Sequence, residues 1–147
     1  MEDMMAAFED DMTQALIPFI DSTYRTLNDR DHRAMAGLSM GGMQAFHVTF
    51  DHLELFSYIG GSSGALNPFG EATGNFDTKT AYNGALANLA AFARRVHLRW
   101  IGMGTEELPQ MKAGIEKLNT SLKKAKIQTC STNLLGPHMN GRPGAAT

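Results

Sequence analysis

HRAMAGLSMGGMQAFHVTF, residues 32–50, is the stretch on which the fold turns. A short apolar run, Ala34-Met35-Ala36, meets Gly37-Leu38-Ser39-Met40-Gly41-Gly42, and an amphipathic helical pattern starts at once. Strand, sharp turn and helix follow one another, with a serine at the turn. That context makes G-x-S-x-G a nucleophile elbow. The serine needs a strained backbone, and a side chain at Gly37 or Gly41 is expected to collide with the neighbouring strand or helix. Ser39 then projects from the sheet edge with the positive end of the following helix behind it.

The chain carries a second match, Gly60-Gly61-Ser62-Ser63-Gly64. It follows an expected strand over 55–59, but Ala65-Leu66-Asn67-Pro68-Phe69-Gly70 comes next, and that is no helix start. Ser39 is therefore favoured over Ser62.

With 147 residues the chain makes one domain, large enough to bury about two-thirds of its unfolded surface. A net charge of −2 points to neither nucleic acid nor an anionic membrane as partner. No run approaches the roughly 20 apolar residues of a membrane span. The start, MEDMMAAFEDD, is acidic where a signal peptide needs a basic region and an apolar core, so a native start would imply a cytoplasmic protein. The single cysteine, Cys130, excludes an internal disulfide and a multi-cysteine metal site. The ten methionines read as core filler.

Phe8, Met12, Leu16, Phe19, Ile20 and Tyr24 recur at helical spacing, with Pro18 as a kink. A strand is expected over 33–38, a helix over 41–50 and a strand over 55–60. A Gly/Asn/Pro-rich loop spans 62–79, a short helix 85–93, a strand 96–102, an amphipathic helix 108–124, and a further strand falls near 127–132. This alternation predicts an α/β fold with a mostly parallel sheet and helical crossovers.

Ligands of such sheets gather beyond the carboxyl ends of the strands. Ser39 ends one strand, Gly104-Thr105-Glu106-Glu107 follows another, and His138 comes after the last. A serine hydroxyl is a poor nucleophile until a histidine takes its proton, and an acid holds that imidazole in the right tautomer. The glutamate pair reads equally as an acidic helix start. His32, His47, His52 and His97 read as surface or packing residues.

RAMAGLSMGG, then HLELFSYIGGSSG and later WIGMGTEE, resembles the feruloyl and acetylxylan esterases of the esterase D/enterochelin esterase-like group, which are α/β-hydrolases. The resemblance covers about 8–127. It implies Ser39 as nucleophile, the Met40 backbone N–H as one oxyanion donor and Glu107 as the triad acid, with Glu106 as second choice. It implies a small-molecule or carbohydrate ester as substrate, feruloyl or acetyl esters of sugars among them, and neither metal nor cofactor. By the same resemblance the chain is a partial α/β-hydrolase fold missing the N-terminal strands, with a sheet edge open to self-association.

The family closes on Gly-x-x-His-Glu-Trp. Here the end is CSTNLLGPHMNGRPGAAT, rich in Gly and Pro. Back-translated and read from the third base of codon 128, residues 128–147 can give DVFYESPGTAHEWQTWRRD, which matches the family pattern. A frameshift near codon 128 is therefore expected, with 1–127 as the core fragment and 128–147 as a poorly ordered tail. His138 is then an accidental neighbour of the family's histidine. The alternative function is a catalytically impaired remnant of such an esterase.

Overall fold

The structure is a computed structural model that describes residues 2–64, 84–107, 109–124 and 130–134. Four parallel strands, β1 (Ala34–Leu38), β2 (Tyr58–Ser62), β3 (Leu98–Gly104) and β4 (Cys130–Leu134), lie side by side in chain order. Registers of Leu38 with Ser62, Ser62 with Gly102, and Gly104 with Leu134 bring all four carboxyl ends to one edge. Each crossover carries a helix: α3 (Met40–Asp51), α4 (Leu89–Arg95) and α5 (Pro109–Lys124). Right-handed crossovers between strands taken in simple order place every helix on the same face. The α/β architecture read from the sequence is the one observed.

That face holds the core. Phe46 and Phe50 of α3, Phe92 of α4 and Ile115 of α5 meet Ile59, Ile101 and Met103 of the sheet. Phe50 and Phe92 pack edge to face, with ring centroids 5.3 Å apart and planes at 88°. Such a pair contributes roughly 0.5–1.5 kcal/mol beyond its buried area. Arg99 is buried on the same side with its guanidinium 5.5 Å from the Phe92 ring, and burial lowers its pKa. On β1 the residues alternate between exposed and half-buried, and Leu38 remains 52% exposed. Among the described residues no strand pairs with the outer edge of β1.

The amino-terminal helix pattern forms as α1 (Glu2–Asp10) and α2 (Ile17–Thr23), joined by a π-helical segment, Asp11–Leu16. Pro18 opens the first turn of α2. It has no N–H to donate and its ring crowds the preceding turn, so the irregularity falls just before it.

At the opposite edge of the sheet, side chains tie the loops together. Arg30 donates from Nε to the Leu53 carbonyl at 2.9 Å and from its guanidinium to the carbonyls of Phe56 and Arg95. Arg33 donates to the Leu55 carbonyl and pairs with Asp21 at 2.5 Å. Asp31 accepts from the Ser57 hydroxyl at 2.9 Å and from His97 Nε2 at 3.0 Å. The hydrogen bond from His97, then that from Ser57, hold the Asp31 carboxyl below its ordinary pKa.

Three expectations need correction. The strand expected over 55–60 runs from Tyr58 to Ser62, so Gly60, Gly61 and Ser62 of the second match are strand residues. Gly61 is required there because a Cβ would lie 2.4 Å from the Phe46 ring. The helix expected over 85–93 starts later, because the Asn88 side chain caps it by accepting from Ala91 N–H at 2.9 Å. The further strand expected near 127–132, inside the segment 128–147 assigned to a tail, forms slightly later as β4, in register with β3 from Trp100–Cys130 to Gly104–Leu134. Strand pairing satisfies its backbone there, whatever its side-chain composition. Most of the expected loop 62–79 lies outside the described residues.

Candidate active site

Ser39 follows the last residue of β1 and caps α3, with φ 55° and ψ −118°. A non-glycine residue at such angles costs on the order of 1–3 kcal/mol and persists only when its surroundings enforce it. Its N–H donates to the Ser62 carbonyl at 2.8 Å, and its carbonyl accepts from Met43 N–H at 3.1 Å. The peptide is thereby held from the sheet on one side and the helix on the other. Serine at this position usually bonds a first-turn amide with its hydroxyl. Ser39 makes no such side-chain bond. Its Oγ is left to other partners.

The glycines around it divide the work differently from the sequence expectation. A Cβ on Gly37 would fall 2.2 Å from the carbonyl carbon and oxygen of Gly41, so β1 and α3 touch backbone to backbone. Gly41 itself would meet nothing within 4 Å. The expected clash at Gly41 is therefore absent. Gly42 is the crowded helical position, since a Cβ there would lie 3.0 Å from the Ser62 carbonyl oxygen and 3.2 Å from that of Gly37. Helix geometry explains the shift: the residue one position further along turns its Cα toward the sheet.

Glu107 stands past the end of β3 and is half-buried. Its Oε1 accepts from the Ser63 hydroxyl and from Gly104 N–H at 3.3 Å. Ser63 also adopts positive φ, 51°, and its N–H donates to the Gly102 carbonyl at 2.9 Å. Glu106 is exposed. Sequence reasoning missed Ser63, for which the only cue was its place at the end of a serine-bearing strand.

One peptide thus links the two sides of the site. The Ser62 carbonyl receives the Ser39 amide, and the next residue, Ser63, holds Glu107. Leu38 and Gly102 lie across β2 from each other, roughly 9.5 Å apart at the usual strand spacing. His138 lies outside the described residues. β4 ends at Leu134, opposite Gly104 on this same edge, and four residues of chain reach at most about 14 Å.

Met40 is the first residue of α3. First-turn amides have no partner within a helix, and the helix dipole adds to their pull on an anion. Ser62, the rejected second candidate, is a buried strand residue whose hydroxyl has no hydrogen-bond partner among the described residues. His32, His52 and His97 each lie beside a carboxylate, as does His47. His52 has one ring nitrogen on Glu9 and the other on Glu54. Burial opposes its charge, but hydrogen bonds with Glu54 and Glu9 outweigh burial and raise its pKa.

A family model described as "Putative esterase" matches residues 2–142. The chain is 47% identical over 57 residues to an endo-1,4-beta-xylanase/feruloyl esterase of Xylanibacter ruminicola, covering 39% of this chain and 8% of that protein. A CE1 ferulic acid esterase from the anaerobic fungus Anaeromyces mucronatus superposes with a TM-score of 0.68 at 16% identity, covering 91% of this chain and 47% of that one. The enterobactin esterase of Shigella flexneri does so with a TM-score of 0.64 at 20% identity, covering 88% of this chain and 32% of that one. The chain thus spans about half or less of these relatives, and the two structures share its fold.

Proposed function

Because this chain belongs to the esterase family, we propose that it acts on carboxylic esters through an acyl-enzyme formed on Ser39. The observation that carries this reading is the Ser39 backbone, held at φ 55° between β1 and α3 with its hydroxyl not used as a helix cap. In the proposed reaction Ser39 Oγ attacks the ester carbonyl carbon, and His138 takes the hydroxyl proton. Negative charge develops on the carbonyl oxygen, where the Met40 N–H donates to it. Collapse of the tetrahedral intermediate breaks the acyl–oxygen bond, and the proton passes from the imidazolium to the leaving alcohol. Water repeats the sequence on the acyl-serine and releases the acid.

Glu107 is the proposed acid, in preference to Glu106. Its carboxylate is fixed by Ser63 and Gly104, while Glu106 faces solvent. A fixed carboxylate orients an imidazole, and a mobile one does so poorly. The proposed substrates are feruloyl or acetyl esters of sugars, by similarity to the xylanase/feruloyl esterase.

Hydrolysis of p-nitrophenyl acetate and methyl ferulate, beside Ser39→Ala, tests the proposal. Turnover and labelling by a serine-directed phosphonate are expected in the parent and lost in the variant. Equal behaviour of the two folded proteins would refute it and favour the impaired remnant.

A further inference from the structure

The far end of α3 carries a second constellation, separate from Ser39. Glu9, on α1, lies 3.2 Å from His47 Nε2 through Oε2, and His47 Nδ1 lies 3.7 Å from Asp51 Oδ2. His47 and Asp51 are four residues apart on one helix, so their side chains rise from the same face. One ligand atom from each of Glu9, His47 and Asp51 falls within 4.8 Å of the other two. All three residues are partly buried. From Ser39 the helix rises roughly 12–18 Å to reach them.

We propose that Glu9, His47 and Asp51 form a binding site for a divalent cation of the zinc class. Four-coordinate zinc with bonds near 2.1 Å sets its ligand atoms about 3.4 Å apart. A metal takes one ring nitrogen only: the 3.2 Å between Glu9 Oε2 and His47 Nε2 matches that spacing, and Asp51, which faces Nδ1 at 3.7 Å, closes on the same ion by a turn of its side chain within the 4.8 Å cluster. One imidazole and two carboxylates form a mixed nitrogen and oxygen donor set, which suits zinc or cobalt better than the all-oxygen shells of calcium and magnesium. A fourth position is left for water.

Two further features fit a metal better than a simple ion pair. The ligand carboxylate of Glu9 is already oriented from behind, because its other oxygen, Oε1, lies 2.7 Å from His52 Nε2. Outer hydrogen bonds of this kind commonly fix metal-ligating carboxylates. Glu54 in turn lies 2.9 Å from His52 Nδ1. Glu9, Asp51 and Glu54 thus set three carboxylates about two imidazoles. A dication there would clip α1 to the rear half of α3, the helix that begins beside Ser39.

The site is tested by binding, independently of ester hydrolysis, on untagged full-length chain stripped with a chelator. Zinc is expected to bind with one-to-one stoichiometry and raise Tm by roughly 5–10 °C at a hundredfold excess over Kd. Cobalt is expected to give the visible bands of a low-coordinate site. Asp51→Asn, nearly isosteric, and His47→Gln should abolish both signals while retaining the circular dichroism of the parent. His97→Gln, which alters an exposed histidine bonded to Asp31 and outside this cluster, should leave them unchanged. Absence of a zinc shift in the parent up to about 1 mM would overturn the proposal. So would an equal shift in the Asp51→Asn/His47→Gln double variant, or an equal response to magnesium.

Discussion

Gly37 and Gly41 bracket Ser39 symmetrically in sequence, yet the structure predicts opposite outcomes when each becomes alanine. A methyl group on Gly37 would sit 2.2 Å from two backbone atoms of Gly41 and 2.8 Å from the amide nitrogen of Gly42. Ordinary contacts begin near 3.5 Å, so the first turn of α3 would have to lift from β1 by more than an ångström. No rotamer relieves a backbone clash. The lift also breaks the Ser39 N–H bond to the Ser62 carbonyl and the packing of Gly42 on Gly64. Overpacking costs roughly 1–3 kcal/mol where neighbours can shift, and a lost backbone bond adds about 1 kcal/mol. Gly37→Ala is therefore expected to lose about 2–4 kcal/mol, a Tm fall of roughly 10 °C. Gly41→Ala fills open space within a regular helix. It should gain about 0.5–1 kcal/mol from the smaller backbone entropy of the unfolded chain. Urea unfolding of both variants beside the parent measures the difference, with the m-value as a check on two-state behaviour. A Gly37→Ala protein within about 1 kcal/mol of the parent, or a Gly41→Ala protein as damaged as Gly37→Ala, would refute the backbone-to-backbone contact.

Four further outcomes follow from the same geometry. Ser39→Gly should raise stability by about 1 kcal/mol in thermal unfolding, by releasing the positive φ, while abolishing phosphonate labelling. Glu107→Gln should lower kcat on methyl ferulate on the order of 10³-fold, and Glu106→Gln should change it less than about 3-fold. The Asp31 carboxyl is held below its ordinary value of 3.8, so its contribution to stability is present above that pH and is lost as pH falls through the folded pKa. Asp31→Asn should flatten the fall in Tm below about pH 4, read by scanning at a series of pH values. Finally, a chain whose codons from 128 onward are read in the shifted frame should hydrolyse p-nitrophenyl acetate faster than the present chain, in a direct comparison of rates.

The elbow was legible because its grammar is local. Strand, Gly-x-Ser-x-Gly and helix occupy one short stretch, and α3 starts within a residue of its expected position. The bounds of β2 were not legible, for a tertiary reason. The expected strand stops at 60, and only the ring of Phe46 and the methyl of Ala36 pressing on Gly60 and Gly61 explain glycines in mid-strand. The same holds for Gly41 and Gly42, where the sequence offers two adjacent glycines and only the approach of Ser62 and Gly64 shows which is crowded.

The choice between Glu106 and Glu107 shows why a candidate site resists reading by spacing alone. Both glutamates follow the same strand, and nothing within Gly104-Thr105-Glu106-Glu107 separates them. The discriminating group, the Ser63 hydroxyl, is 44 residues away in the chain. It reaches Glu107 because the parallel register sets Ser62 opposite Gly102 and the positive φ of Ser63 turns the chain there. The register of β1 on β2 likewise delivers the Ser62 carbonyl to the Ser39 amide. The carboxyl end of β2 is thus the common support of Ser39 and Glu107, although neither residue lies on it. A change at Ser63 should consequently be felt at Glu107 before it is felt in the fold. Among the described residues, Ser63→Ala removes one of two donors to that carboxylate and leaves the Ser63 N–H bond to Gly102 intact.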